Sequence, residues 1–349
     1  MVKASTQRLR ALVGVMLLTA CTATPAGPRT GSGAPPPAGA ARSGPPDQVT
    51  VALPVIAQSQ APYLIAREKG YYQDEGIEAD LQVVAPNVGV QGAVAGSYAF
   101  TGAGGQAAIA RLSGAPLRVI FNQNNSVTWW LVATQRSGVQ TVENLKGKTI
   151  GIEGPGTLSA TFTRAVLRKH GLNPDTDVEF ISLGPVPNWL RSVISGAVDA
   201  GIAPDADALI VARQQGLTEV TWYGAEISAP LSGLATSESM LRDKPDLVKR
   251  FLRATIKGLL HYKANKEDAV ALSAKLLDAS PEEVARAYDI LQPLTLSEPI
   301  LDERIQREFL ELAKDVLNVD RPVVPSDVYD YGITRQALQE LTAEHWSPR

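Results

Sequence analysis

Residues 148–159 read Lys-Thr-Ile-Gly-Ile-Glu-Gly-Pro-Gly-Thr-Leu-Ser and hold the chain's clearest chemical pattern. The β-branched run before Glu153 suits a short buried strand. Two glycines and a proline at 154–156 end it. Thr157 or Ser159 can then cap a helix that carries Leu158, Phe162, Ala165 and Val166 at helical spacing. A strand, a glycine turn and a helix N-terminus let backbone approach a ligand closely. The first-turn N–H groups point outward, which suits hydrogen bonding to a carbonyl or an anion. The same pattern also fits an ordinary tight turn in an α/β layer. Catalytic and metal constellations are thin. The single cysteine, Cys21, leaves no disulfide and no thiolate cluster within the chain. His170, His261 and His345 lie far apart and are expected at a helix end, on a helix face and in the tail, each at the surface. Ser159 has no histidine nearby in sequence to activate it.

The elements that would position this turn alternate in type. At 349 residues, two domains are expected. Hydrophobic residues at 44% and charged residues at 20% suit a globular protein, and a net charge of −3 supplies no basic field for nucleic acid. Lys3, Arg8 and Arg10 precede an apolar run at 11–20, so residues 1–20 read as a signal peptide too short to span a bilayer. The run ends Leu18-Thr-Ala-Cys21, which resembles the bacterial lipobox. On that reading Cys21 is lipidated, becomes the mature N-terminus and tethers the protein to the membrane. Ordinary cleavage nearby, with Cys21 incidental, is the alternative. Residues 21–47 are rich in Pro, Gly, Ala, Ser and Thr and read as a disordered tether.

The folded body is expected to open with a strand at 48–53, a polar loop at 54–62 and a short helix at 63–69. Strands follow at 78–84, 98–101 and 116–122. A second glycine turn, Gly102-Ala-Gly-Gly105, opens a helix at 106–112. Residues 129–134 read as a crossing into a second lobe. There, strands at 148–152, 177–183 and 198–202 alternate with helices at 157–170, 186–196 and up to 215. Residues 231–236 read as the return crossing, and amphipathic helices fill 245–317. This alternation implies a mainly parallel sheet in each lobe. Lobe one is then 48–130 plus 236–349, and lobe two is 131–235.

Four stretches taken together resemble a family. They are Ala61-Pro-Tyr-Leu-Ile-Ala-Arg-Glu-Lys-Gly-Tyr-Tyr-Gln-Asp-Glu-Gly-Ile77, Val142-Glu-Asn-Leu-Lys-Gly-Lys-Thr-Ile-Gly151, Ser195-Gly-Ala-Val-Asp-Ala-Gly-Ile-Ala-Pro204 and Lys244-Pro-Asp-Leu-Val-Lys-Arg-Phe-Leu-Arg-Ala-Thr-Ile-Lys-Gly258. Their order and spacing resemble the ABC-importer solute-binding proteins of the nitrate, sulfonate, taurine and thiamine-pyrimidine-precursor type. The resemblance implies an α/β, two-lobed, hinged type II periplasmic-binding-protein fold with two crossing strands. It implies a small solute trapped between the lobes, a monomer that docks on permease subunits, and no cofactor. Ligands of such sheets sit at strand C-termini and helix N-termini.

Carried over by position, the cleft residues would be Gln58, Ser59, Gln60, Gly104, Gly105, Gln106 and Asn122 from lobe one. Gly156, Thr157, Leu158, Ser159, Asn188 and Asp205 would come from lobe two. Trp129 and Trp189 would be walls for an apolar or planar ligand, or plain packing. Asp205 and Asp207 could accept from a ligand or cap the helix that starts beside them. Glu153 and the lack of Lys or Arg in these loops depart from an anion-binding pattern, so a neutral or zwitterionic solute stands beside sulfonate and nitrate. The function expected is an extracytoplasmic, lipid-anchored binding component of an importer. A sensory module feeding a receptor is an alternative. A pyrimidine-synthase-like enzyme is another, though the relative that makes that pyrimidine uses iron and a histidine, and this chain clusters none.

Overall fold

A computed structural model describes residues 44–317 and 319–348. The expected signal peptide, Cys21 and the tether up to residue 43 lie outside the described residues. The strands are β1 (Asp47–Leu53), β2 (Ile77–Val83), β3 (Phe100–Thr101), β4 (Leu117–Asn122), β5 (Trp129–Ala133), β6 (Thr149–Ile152), β7 (Glu179–Ser182), β8 (Ala200–Pro204), β9 (Thr218–Trp222) and β10 (Gly233–Ser237). They form two five-stranded sheets, ordered β2-β1-β3-β10-β4 and β7-β6-β8-β5-β9.

The two sheets repeat one plan. β1 pairs in parallel with β2 and β3, while β10 runs antiparallel to β3 and β4. In the second sheet β6 pairs in parallel with β7 and β8, while β5 runs antiparallel to β8 and β9. Each sheet is thus parallel except for one reversed strand, and that strand is the one just arrived from the other sheet. β5, Trp-Trp-Leu-Val-Ala, is buried at every position. A central strand covered on both faces requires such a continuous apolar run.

Aromatic packing anchors each lobe. Phe251 stacks on Phe100 and Tyr72, with ring centroids 4.2 and 4.9 Å apart. Trp129 meets Phe162, Trp189 and Tyr223 edge to face at 5.7, 5.4 and 6.5 Å. The helix Pro281–Leu291 has two apolar faces. Val284 and Tyr288 pack with Ala61, Ile65 and Tyr262 of the first lobe, whereas Ala287 and Leu291 join Val193 and Leu209 of the second. Glu303–Leu317 also reaches the second lobe, where Phe309 meets Phe162 edge to face at 6.2 Å.

Two expectations are corrected. The loop expected at 54–62 ends in a 3-10 turn, Gln58–Gln60, that runs into the helix Ala61–Glu68 with Pro62 near its start. Proline at a helix start costs no hydrogen bond, so it lengthens this element instead of breaking it. His261 is not at the surface. It is fully buried on the helix Pro245–Ala264. Its Nδ1 pairs with the Tyr71 hydroxyl at 2.9 Å and its Nε2 with Asp268 at 2.6 Å, and burial holds its pKa below the ordinary histidine value.

Candidate functional site

A cavity of ≈ 580 Å³, part of it open to solvent, lies where the two sheets face each other. Its walls come from one edge of each sheet. Pro54, Gly102, Glu153 and Val186 follow the C-terminal ends of β1, β3, β6 and β7, and Pro204 ends β8. Thr128 and Ser232 lie just before the reversed strands β5 and β10, which start at that same edge. Binding crevices of open α/β sheets form at this edge because the connecting loops and helix N-termini gather there.

Apolar surface dominates the interior. Trp129 and Trp189 both line it, the second held by an indole N–H donated to the Gly184 carbonyl at 2.8 Å. Gln60 Oε1 and Thr128 Oγ1 are buried with no partner within the protein, and both residues line the cavity. No Lys, Arg or His is present in its lining among the described residues. Its two ionisable side chains are Glu153 and Asp205. Burial pushes the Glu153 carboxyl up to about 7. Burial, then the neighbouring Asp207 charge, pushes Asp205 up to about 7 as well. No group of His, Cys, Asp or Glu among the described residues is placed to hold a metal ion.

The lobes are joined across this cavity by three backbone donors. Ser59 N–H donates to Asp205 Oδ2 at 3.0 Å, and Gln58 N–H donates to Asp207 Oδ2 at 3.0 Å. On the other side Leu158 N–H donates to Gln106 Oε1 at 3.2 Å. Asp205 also caps the helix Ala206–Gln214 by accepting from Ala206 N–H at 2.8 Å, and it does so at φ 88°. Non-glycine residues rarely adopt that conformation, and it persists only where surrounding contacts fix it.

The family model described as NMT1/THI5 like matches residues 57–269. The chain belongs to this family. It is 30% identical over 270 residues to the riboflavin-binding protein RibY of Chloroflexus aurantiacus, covering 75% of this chain and 76% of that one. It is 27% identical over 297 residues to a putative aliphatic sulfonates-binding protein of Bacillus subtilis, covering 82% and 87%. The crystal structure of the periplasmic aliphatic sulphonate binding protein SsuA from Escherichia coli superposes with a TM-score of 0.66 at 16% identity, covering 83% of this chain and all of that one, 100%. The fold is the two-lobed periplasmic-binding-protein fold, and the relatives that match in sequence are named as binding proteins.

In this NMT1/THI5-like chain, Ser59, Gln60, Gln106, Trp129, Leu158, Trp189 and Asp205 come together around the cavity. The other residues singled out from the sequence lie elsewhere, for identifiable reasons. Gln58 sits one residue away, its N–H bound to Asp207. Asn122 is buried and accepts from the Tyr331 hydroxyl at 2.6 Å. Gly104 serves packing: a Cβ there would lie 2.7 Å from the backbone carbon of Gly233 on the return strand. Gly105 donates its N–H to the Leu231 carbonyl at 3.3 Å.

The organising turn is bonded to itself. Ser159 Oγ accepts from Glu153 N–H at 2.9 Å, and Thr157 Oγ1 donates to the Gly154 carbonyl at 2.7 Å. Thr157 also caps the helix Leu158–Lys169. Gly156 is exposed at φ 71°, and Asn188 donates to the Leu183 carbonyl at 3.0 Å. Cavity residues that sequence reasoning passed over include Val55, Pro86, Thr128, Leu231 and Ser232. Most are small or apolar. Their signal was position alone, next to a strand end at the edge where the lobes meet.

Proposed function

We propose that this chain captures an uncharged, planar solute with hydrogen-bonding edges for an ABC importer. The observation that carries the reading is the charge of the cavity wall: two carboxyl groups, two indoles, and no basic side chain among the described residues. An anion about 4 Å from an ionised Glu153 or Asp205 would be repelled by roughly 4 kcal/mol at an effective dielectric near 20. Near neutral pH a protonated Glu153 or Asp205 can instead donate to a carbonyl or ring nitrogen. Gln60 Oε1 can accept from a ring N–H, and the Thr128 hydroxyl can do either. The two indoles supply apolar wall area. That one relative is named for riboflavin, a planar heterocycle, supports this class over sulfonate.

On this reading the protein is exported and anchored by lipid on Cys21 at the outer face of the membrane. It works as a monomer, closes on its solute and presents the closed form to permease subunits. It releases the solute unchanged and performs no catalysis.

The test is thermal unfolding of the full chain against flavins, pyrimidines, amino-acid-like zwitterions, alkyl sulfonates and nitrate. A ligand at a hundred times its dissociation constant adds about 2.7 kcal/mol of stability, a readable shift in midpoint. The expected result is a shift with a flavin or pyrimidine and none with sulfonate or nitrate. A shift with sulfonate or nitrate alone overturns the proposed class. Recovery of a chemically altered ligand would overturn the non-catalytic role.

A further inference from the structure

We infer that a second, smaller chamber beside the cleft is a built site for one water molecule, which ties the lobe crossing to the first-lobe loop. The chamber is lined by Gln58 from the 3-10 turn, Gln123 and Asn124 from the crossing between β4 and β5, and Tyr262 from the helix Pro245–Ala264. These side chains are 2%, 2%, 3% and 1% exposed. Six of their polar atoms have no partner within the protein: both amide atoms of Gln58 and of Gln123, Asn124 Oδ1 and the Tyr262 hydroxyl. Buried polar groups in folded proteins are almost always hydrogen-bonded, to protein or to ordered water. So many orphaned atoms around one space point to a common partner.

Size and chemistry both select water. The chamber leaves ≈ 10 Å³ for a water centre, about the space one water needs. Four side chains match the upper end of the two to four partners a buried water takes. The orphaned atoms mix donors and acceptors, as the two amide nitrogens donate, the amide oxygens accept and the hydroxyl does either. Hard cations such as calcium and magnesium favour carboxylate oxygens, no carboxylate lines the chamber, and the Lys263 ammonium donates to the Thr295 carbonyl at its rim.

The chamber also lies where both crossings pass. Gln123 N–H donates to Ser232 in the return segment at 3.4 Å, and Leu296 N–H donates to the Gln123 carbonyl at 2.8 Å. Gln58 contributes its side chain here while its N–H reaches Asp207 of the other lobe. The water therefore joins the hinge to the loop that closes the cleft. This inference does not depend on which solute the cleft takes.

Oxygen-17 magnetic relaxation dispersion on the full chain tests it, read against Gln123→Met and Tyr262→Phe. The wild type should hold one long-lived water that Gln123→Met lacks. Amides 123–125 should then exchange at least tenfold faster by hydrogen exchange. Equal dispersion in wild type and variants overturns the site, and an unchanged exchange rate after the water is lost overturns the tie. A high-resolution crystal structure soaked in rubidium should show a peak without anomalous signal, bonded to at least two of the four side chains. An anomalous rubidium peak, or amides turned onto each other in a closed chamber, overturns the assignment. Should Gln123→Met fail to fold, Tyr262→Phe, which removes only a hydroxyl, carries the test.

Discussion

Replacing Asp205 by asparagine isolates the free energy of holding a carboxyl group in the closed cleft. The side chain is 3% exposed, accepts from Ala206 N–H and Ser59 N–H, and sits at φ 88°. Asparagine keeps the shape and tolerates positive φ better than most residues. Its single oxygen satisfies one of the two donors, so the variant carries an offset that does not change with pH. Burial and the Asp207 charge raise the Asp205 pKa to about 7, against about 3.9 in an unfolded chain. A carboxyl raised by folding holds its proton more tightly in the native state. Its contribution is therefore fully present below about pH 4 and is lost as pH rises through about 7. Within that window the slope approaches about −1.4 kcal/mol per pH unit, and the whole effect has a ceiling of about 4 kcal/mol.

Urea unfolding of both chains from pH 4.5 to 8 measures it. The quantity to follow is the difference in unfolding free energy, wild type minus Asp205→Asn. Glu153, also raised to about 7, adds a slope of the same sign in both chains. His261, lowered by burial, adds the opposite sign, losing stability as pH falls below about 6.5. Subtraction removes both. The difference should fall by roughly 2–4 kcal/mol between pH 4.5 and 8. A difference that is flat, or that rises with pH, would refute the burial and charge pairing assigned to Asp205.

Four further outcomes are expected. Thr157→Ala removes a helix cap and should cost about 1 kcal/mol by denaturant unfolding. It should leave ligand affinity within twofold, because that hydroxyl is held by the Gly154 carbonyl and Ser159. Gly104→Ala forces a Cβ to 2.7 Å from the Gly233 backbone and should lose about 1–3 kcal/mol, seen as a lower unfolding midpoint. Glu75→Gln takes the carboxylate from the buried Lys257 ammonium, now bonded to it at 2.6 Å, while Arg253 keeps Glu340 and Glu344 at 3.0 and 2.8 Å; urea unfolding should show a cost of about 3 kcal/mol. Trp129→Leu removes ring area from the cavity wall, and calorimetry should show at least a tenfold weaker affinity for the planar ligand.

Periodicity and breakers made the scaffold readable. The run Trp129-Trp-Leu-Val-Ala reads as a crossing strand and is one, and Gly-Pro-Gly at 154–156 follows the end of β6 as expected. The amphipathic spacing over 245–317 folds as helices, and Ser280 with Glu283 forms the capping box that starts Pro281–Leu291. What the sequence could not convey was direction in space. Thr157 and Ser159 look like ligand donors in one dimension, yet the turn folds their hydroxyls back onto Gly154 and Glu153. Gly104 looks like a backbone opening for a ligand, yet the close neighbour is Gly233, 129 positions along the chain. His261 sits on an amphipathic helix, and only the folded chain brings Tyr71, 190 residues away, onto its ring.

Asp205 and Asp207 could be read as helix caps or as ligand acceptors. In the folded chain Asp205 is a cap, and both bond N–H groups of the opposite lobe. That use bears on how the cleft works. Hydrogen bonds to charged groups contribute about 1.5–3 kcal/mol each and neutral ones about 1, so the three cross-cleft bonds favour closure by several kcal/mol. Burial of the two carboxyl groups opposes closure, and it raises both their pKa values. The two terms have opposite signs and partly offset one another. A solute moves the population toward the closed state by no more than its differential affinity for the two forms. Acid weakens the opposing term by protonating Asp205, so the same reasoning makes closure easier at pH 5 than at pH 8.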